Sequence, residues 1–205
     1  MEENELETRD PRIQAFIEVC MKACVEAEEI LGEQGDYSRI AQLARKVLLQ
    51  CELLFKSGIG EAEIYGATNR IAESVYEHPR LVLELKKTGL RAVEQLEKKE
   101  NDEYEEGTAL RKEIAQLESN IKAADEGRFG DIQTDSVLKR DPIEWTKAFE
   151  DVVDDVEHEV YEKLSDIPRG MGFCFAYWAA RREAFQKRGI EWRSPHQMNP
   201  RVMFD

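Results

Sequence analysis

The feature that most constrains this chain is the recurrence of apolar residues three and four apart, segment after segment, with little to interrupt it. Ile13, Phe16, Ile17, Cys20, Cys24, Ala27 and Leu31 trace one stripe, and Ile40, Leu43, Ala44, Val47, Leu48, Cys51, Leu54 and Phe55 trace a second. Residues at those intervals share a face only when the backbone advances 3.6 residues per turn, so each stripe predicts an amphipathic helix. The 12 glycines and 6 prolines among 205 residues are too few for a turn-rich β fold. The expectation is an all-α, multi-helix bundle.

Helix boundaries follow from punctuation. Asp10-Pro11 supplies an N-cap and a proline at the first helical position, where its missing N–H costs nothing. A third helix is predicted from Glu61 to Glu77, stopping before Pro79, because the residue preceding a proline is pushed out of the helical region. A fourth follows with Leu81, Leu85, Val93 and Leu96, then a charged stretch that Gly107-Thr108 is expected to break. Leu110, Ile114, Leu117, Ile121 and Ala124 follow a 4-3-4-3 spacing, the seam of a coiled coil two heptads long. So short a seam is expected to fold back as a charged helical hairpin. Asp141-Pro142 repeats the cap-plus-proline start and predicts a helix to about Ser165. A last helix runs from Gly170 or Met171 to Arg188. The predicted organisation is an N-terminal three-helix unit (1–78), a charged hairpin (79–126), a linker (127–140) and a C-terminal helical pair with an ordered irregular tail (141–205), or all of these as one domain.

A formal net charge of −14 excludes the whole surface as a binder of nucleic acid or anionic membrane. That charge is uneven. From Arg181 to Asp205 there are six basic and three acidic residues, +3 against −17 for everything before. Nucleic acid therefore remains conceivable only at the tail. The acidic start Met1 to Glu7 lacks the pattern of an export signal, no run reaches 18 apolar residues, and Cys20, Cys24, Cys51 and Cys174 read as reduced thiols. A cytoplasmic location is expected. The first three cysteines fall within apolar stripes, where a thiol serves as a small hydrophobe rather than a zinc ligand.

Two segments could carry function. All three tryptophans fall after residue 144, and the last helix is apolar on more than one side. A helix of that kind is central or covers an interface. Arg182 shares a face with Phe175 and Trp178, which calls for a carboxylate partner or an aromatic to stack on. Trp178, Arg181, Arg182, Trp192, Arg193, His196 and Phe204 are the candidate partner-binding residues. They point to a non-enzymatic interaction or scaffold protein that binds a protein partner or itself, with no cofactor. The tail is expected to dock on its own chain, because Trp192, Met198, Val202, Met203 and Phe204 supply the apolar area to hold it.

The other segment is the acidic helix of residues 150–159. Asp151, Asp154, Asp155 and His158 sit at i, i+3, i+4 and i+7, a spacing that can gather a divalent cation. It loosely resembles the acidic helices of all-α nucleoside-triphosphate pyrophosphohydrolases, which bind magnesium through paired acidic motifs on two helices. That resemblance implies a metal-dependent phosphohydrolase with magnesium at these four residues and Arg181 or Arg182 meeting phosphate. Glu26 to Glu29 comes nearest to the second motif. Helical geometry instead predicts a solvated face, since Phe149, Val152, Val153, Val156, Val160 and Leu164 fill the side opposite the acids.

Overall fold

A computed structural model describes residues 10–134 and 136–204; Met1 to Glu7 and Asp205 lie outside the described residues. Among these the chain forms helices and no strands, packed as a bundle. The helices are α1 (Pro11–Gly32), α2 (Ser38–Phe55), α3 (Glu61–Ala72), α4 (Pro79–Glu100), α5 (Glu105–Asp125), α6 (Lys147–Glu150), α7 (Val153–Lys163), α8 (Phe173–Lys187) and α9 (Pro195–Met198). Asp10 caps α1 as its sequence predicts, its Oδ1 accepting from the Arg12 N–H at 2.8 Å.

Two apolar clusters organise the bundle. The first joins α1 to α4 through Phe16, Cys20, Cys24, Val47, Ile64, Ile71 and Leu85. The second joins α6, α7, α8 and the tail through Phe149, Val153, Val156, Val160, Phe185 and Trp192. Phe149 and Phe185 stack at 4.8 Å between centroids, and Trp192 meets Phe185 at 5.8 Å. Each large side chain fully buried in this way contributes about 1.5–3 kcal/mol.

Three boundaries differ from expectation, each for a local reason. α3 ends at Ala72, five residues early: Ser74 N–H bonds to the Ile71 carbonyl and Val75 N–H to Ala72, tightening the chain into turns. Those turns carry Val75, Glu77 and His78 inward, which a continued helix would not do. The α4–α5 break falls at Asn101, in the left-handed conformation at φ 54°, and not at Gly107. Gly107 lies inside α5, where an added Cβ would stand 2.6 Å from Glu97 Oε1 and 3.2 Å from Val93, so glycine permits the hairpin's close approach. Around it, Arg111–Glu97, Lys86–Glu113 and Lys87–Glu118 pair across the two helices.

The third difference is the segment from 141 to 165, which is interrupted. Asp141 caps one 3₁₀ turn (Pro142–Trp145), extended Thr146 stops it and caps α6 through the Phe149 N–H, and Val152 at φ −124° separates α6 from α7. These breaks let Glu150 and Asp154 both reach the α3–α4 turn. Residues 127–140 are anchored at both ends. The Asn120 amide exchanges two hydrogen bonds with the Gln133 backbone (2.6 and 3.0 Å), and the Asn199 amide does the same with Lys139 (2.8 and 2.8 Å). The tail is ordered. Ile190 and Trp192 are buried, and Ser194 closes a capping box on α9 with Gln197.

Candidate functional site

The two apolar clusters meet along a polar seam, and at its centre lies Arg181. This guanidinium is buried on α8, with Nη2 2.5 Å from Glu77 Oε1 and Nε 2.8 Å from Glu157 Oε1. Glu77 comes from the α3–α4 turn and Glu157 from α7, so one cation ties three elements. The contact with Glu77 is a hydrogen bond. The contact with Glu157 Oε1 is a misaligned charge contact that leaves both atoms without a hydrogen bond, while Tyr177 Oη donates to Oε2 at 2.6 Å. Rings wall the guanidinium, with Trp192 at 4.7 Å and Phe185 at 5.4 Å from its carbon.

Charge does not balance here. With all three groups ionised, two carboxylates share one guanidinium in a site almost free of water. Burial pushes the Glu157 carboxyl up to about 7; Arg181 pulls it down, and neighbouring Glu77 adds to the rise. Burial opposes the charge on Arg181, yet Glu157 and Glu77 hold its pKa well above the ordinary value.

Beside this cluster a cavity of about 300 Å³ opens between the α1–α2 connection, α7 and α8. Glu157, Tyr37, Tyr177, Phe173 and Trp178 line it, together with Arg169. Arg169 stacks over Phe173 at 4.5 Å and donates to the carbonyls of Leu164 (2.6 Å) and Ile167 (3.0 Å).

The predicted partner-binding residues separate into two groups. Arg181 and Trp192 are interior: Trp192 is 2% exposed and its indole N–H donates to Glu144 Oε1 at 2.7 Å. Arg193 is held from the tail to Asp141, through its backbone N–H at 2.7 Å and Nη2 at 3.0 Å. Trp178, His196 and Phe204 form a surface cluster with Phe175, Trp178 meeting Phe204 at 5.1 Å and Phe175 at 5.5 Å, all edge-to-face. The requirement for a carboxylate partner fell on the wrong arginine. Arg182 is exposed, and its neighbour Arg181 carries the buried ion pairs. The reason is that α8 buries Phe173, Ala180, Arg181, Ala184 and Phe185, while the Phe175–Trp178 face is covered only by the tail.

The acidic helix also differs from a uniformly solvated face. Asp154 lies 2.9 Å from buried His78 Nε2 and 3.6 Å from Arg45. Asp151 pairs with Lys147, and His158 Nδ1 meets Asp36 at 2.9 Å. Asp36 raises the pKa of His158. Asp155 is exposed. These side chains are committed to separate partners, and no group of three or more His, Cys, Asp or Glu among the described residues is gathered as a metal requires. The donor set does not fit magnesium. Cys20, Cys24 and Cys51 are buried in the first core, and burial pushes the Cys20 thiol up to about 12, as a packed hydrophobe behaves.

Sequence reasoning missed Glu77, Glu157, Tyr37 and Tyr177. One signal was available: Glu157 stands four residues after Val153 and three before Val160, on the flank of the apolar face.

The fold and this site define an all-α helical bundle with a buried ionic seam. No family model, curated protein or solved structure matches the chain. Among the described residues no helix is long and apolar enough to cross a membrane.

Proposed function

We propose that this protein is a non-enzymatic interaction module that assembles with a second copy of itself through the outer face of α8 and the docked tail. One observation carries the reading: Phe175, Trp178, His196 and Phe204 form a ring cluster at the surface, and the residues flanking it in the chain include Met171, 96% exposed, and Met203, 95% exposed. Contiguous apolar surface of this kind marks interaction sites, and methionine adapts its shape to whatever packs on it. A second copy presents the same rings and flexible methionines, so one patch can serve both sides of a two-fold interface. Arg182 and Arg201 make no ion pair among the described residues. A second copy, with −17 on its first 180 residues, offers carboxylates to both.

Sedimentation velocity tests this. The chain should pass from monomer to dimer between about 1 and about 100 µM, the range of a standard reversible contact. Met203→Glu and Met171→Glu should hold it monomeric, with thermal midpoints little changed because both side chains are almost fully exposed. A wild-type chain that stays monomeric throughout would overturn the proposal.

A further inference from the structure

The cavity beside Arg181 shares Trp178 with the interaction surface, but its chemistry is distinct. It is bounded by aromatic rings from three directions, Tyr37 before α2, Tyr76 in the α3–α4 turn, and Phe173, Tyr177 and Trp178 on α8, with the carboxyl of Glu157 from α7 among them. Tyr37 and Tyr177 meet edge-to-face at 5.9 Å. At about 300 Å³ it stands at the lower end of small-molecule sites.

Two independent observations specify the occupant. The first is the charge imbalance: among the described residues Glu77 and Glu157 share one cation, Arg181, and Glu157 Oε1 has no hydrogen bond. A buried excess of negative charge is relieved by a proton or by a cation. The second is that this wall already accepts cations from within the chain. Arg169 lies over Phe173 at 4.5 Å, and Arg181 lies 5.9 Å from the centre of the Tyr177 ring. Ring faces attract a positive charge through their quadrupole, most strongly where water is excluded.

We propose that this cavity binds a small organic cation, an ammonium group on a flat apolar body, with the ammonium seated against Glu157 and the body between the rings. Arg169 is held by the backbone carbonyls of Leu164 and Ile167, and among the described residues Glu157 is the only carboxylate lining the cavity.

The titratable and charged groups that face Glu157 are Arg181 and Tyr177 from α8, Glu77 and Tyr76 from the α3–α4 turn, and Asp36 and Tyr37 from the α1–α2 connection. Since Glu157 titrates near neutrality and a bound ammonium favours its ionised form, affinity should rise with pH. If binding holds Glu157 ionised, a pKa of about 7 in the free protein gives about tenfold tighter binding at pH 8 than at pH 6.

The experiment uses the full chain, phenethylammonium as the probe and 2-phenylethanol as its uncharged counterpart. Calorimetry and thermal shift are run at pH 6 and pH 8, where the probe stays protonated. The expected result is binding of phenethylammonium at least about tenfold tighter than the alcohol at pH 8, a tenfold gain from pH 6 to pH 8, and loss of both preferences in Glu157→Gln. Should that variant fail to fold, the alcohol comparison and the pH trend in the wild-type chain decide the matter. No binding of the ammonium, equal binding of ammonium and alcohol, or an affinity that falls as pH rises would each overturn the proposal.

Discussion

Replacing Glu157 with glutamine removes one partner of a buried ion pair, a change that ordinarily destabilises by about 3–5 kcal/mol. Here the opposite sign is expected above neutrality. The carboxyl titrates at about 7 in the folded chain against an ordinary 4.5, so the folded state holds its proton more tightly than the unfolded state. Its contribution to stability is complete below about pH 4.5, shrinks as pH rises through the window, and is gone above about pH 7. A displacement of this size corresponds to about 3 kcal/mol across the window. Glutamine mimics the protonated acid at every pH. The difference in unfolding free energy, variant minus wild type, should therefore be under about 1 kcal/mol at pH 5 and reach about 3 kcal/mol in the variant's favour at pH 8. Urea titrations of both proteins at pH 5, 6, 7 and 8 measure it. His158, raised by Asp36, changes stability in the same direction, but it is present in both proteins and cancels in the difference. A variant less stable than wild type at pH 8 would refute the reasoning, because attraction to Arg181 would then outweigh desolvation and the repulsion from Glu77.

The other two substitutions probe the same seam. Arg181→Leu leaves Glu77 and Glu157 without their shared cation and should cost about 3–5 kcal/mol at pH 8, less at pH 5 where Glu157 carries a proton; chemical denaturation at the two pH values reads both. Trp192→Phe keeps most of the apolar bulk but strips the indole N–H from Glu144 Oε1, and should lower stability by about 1–3 kcal/mol.

The parts of the fold legible in the sequence are those that local chemistry decides. Asp10-Pro11 caps α1, the Phe16–Cys20–Cys24–Ala27 stripe is buried, and the tail is pinned by Trp192. Periodicity reads these directly because one helix with one apolar face has one way to sit. The breaks at Ala72, Thr146 and Val152 were not legible. None is set by glycine or by the nearest proline alone. Each follows from what the freed backbone gains at a distance: Glu77 reaching Arg181, Asp141 held by Arg193, and Glu150 bonding Arg80 and the Leu81 N–H.

The site was illegible for a sharper reason. Arg181 and Arg182 are neighbours, 100° apart on α8, and a helix apolar nearly all round gives no contrast to choose between them. The Phe175–Trp178 face carries the larger rings, so size alone assigns it to the core and makes Arg182 the buried cation. The small residues Ala180 and Ala184 mark the face where α8 is actually buried, with Phe173 and Phe185 beside them. On that rule Arg181 faces inward, and a guanidinium buried there needs carboxylates from other elements. Glu157 was the available candidate, a lone acid flanking the Val153–Val156–Val160 stripe. The large rings of the opposite face, left outside with Met171 and Met203, are then surplus to the core. An exposed aromatic face and a buried arginine are thus two consequences of one choice of which side of α8 turns inward.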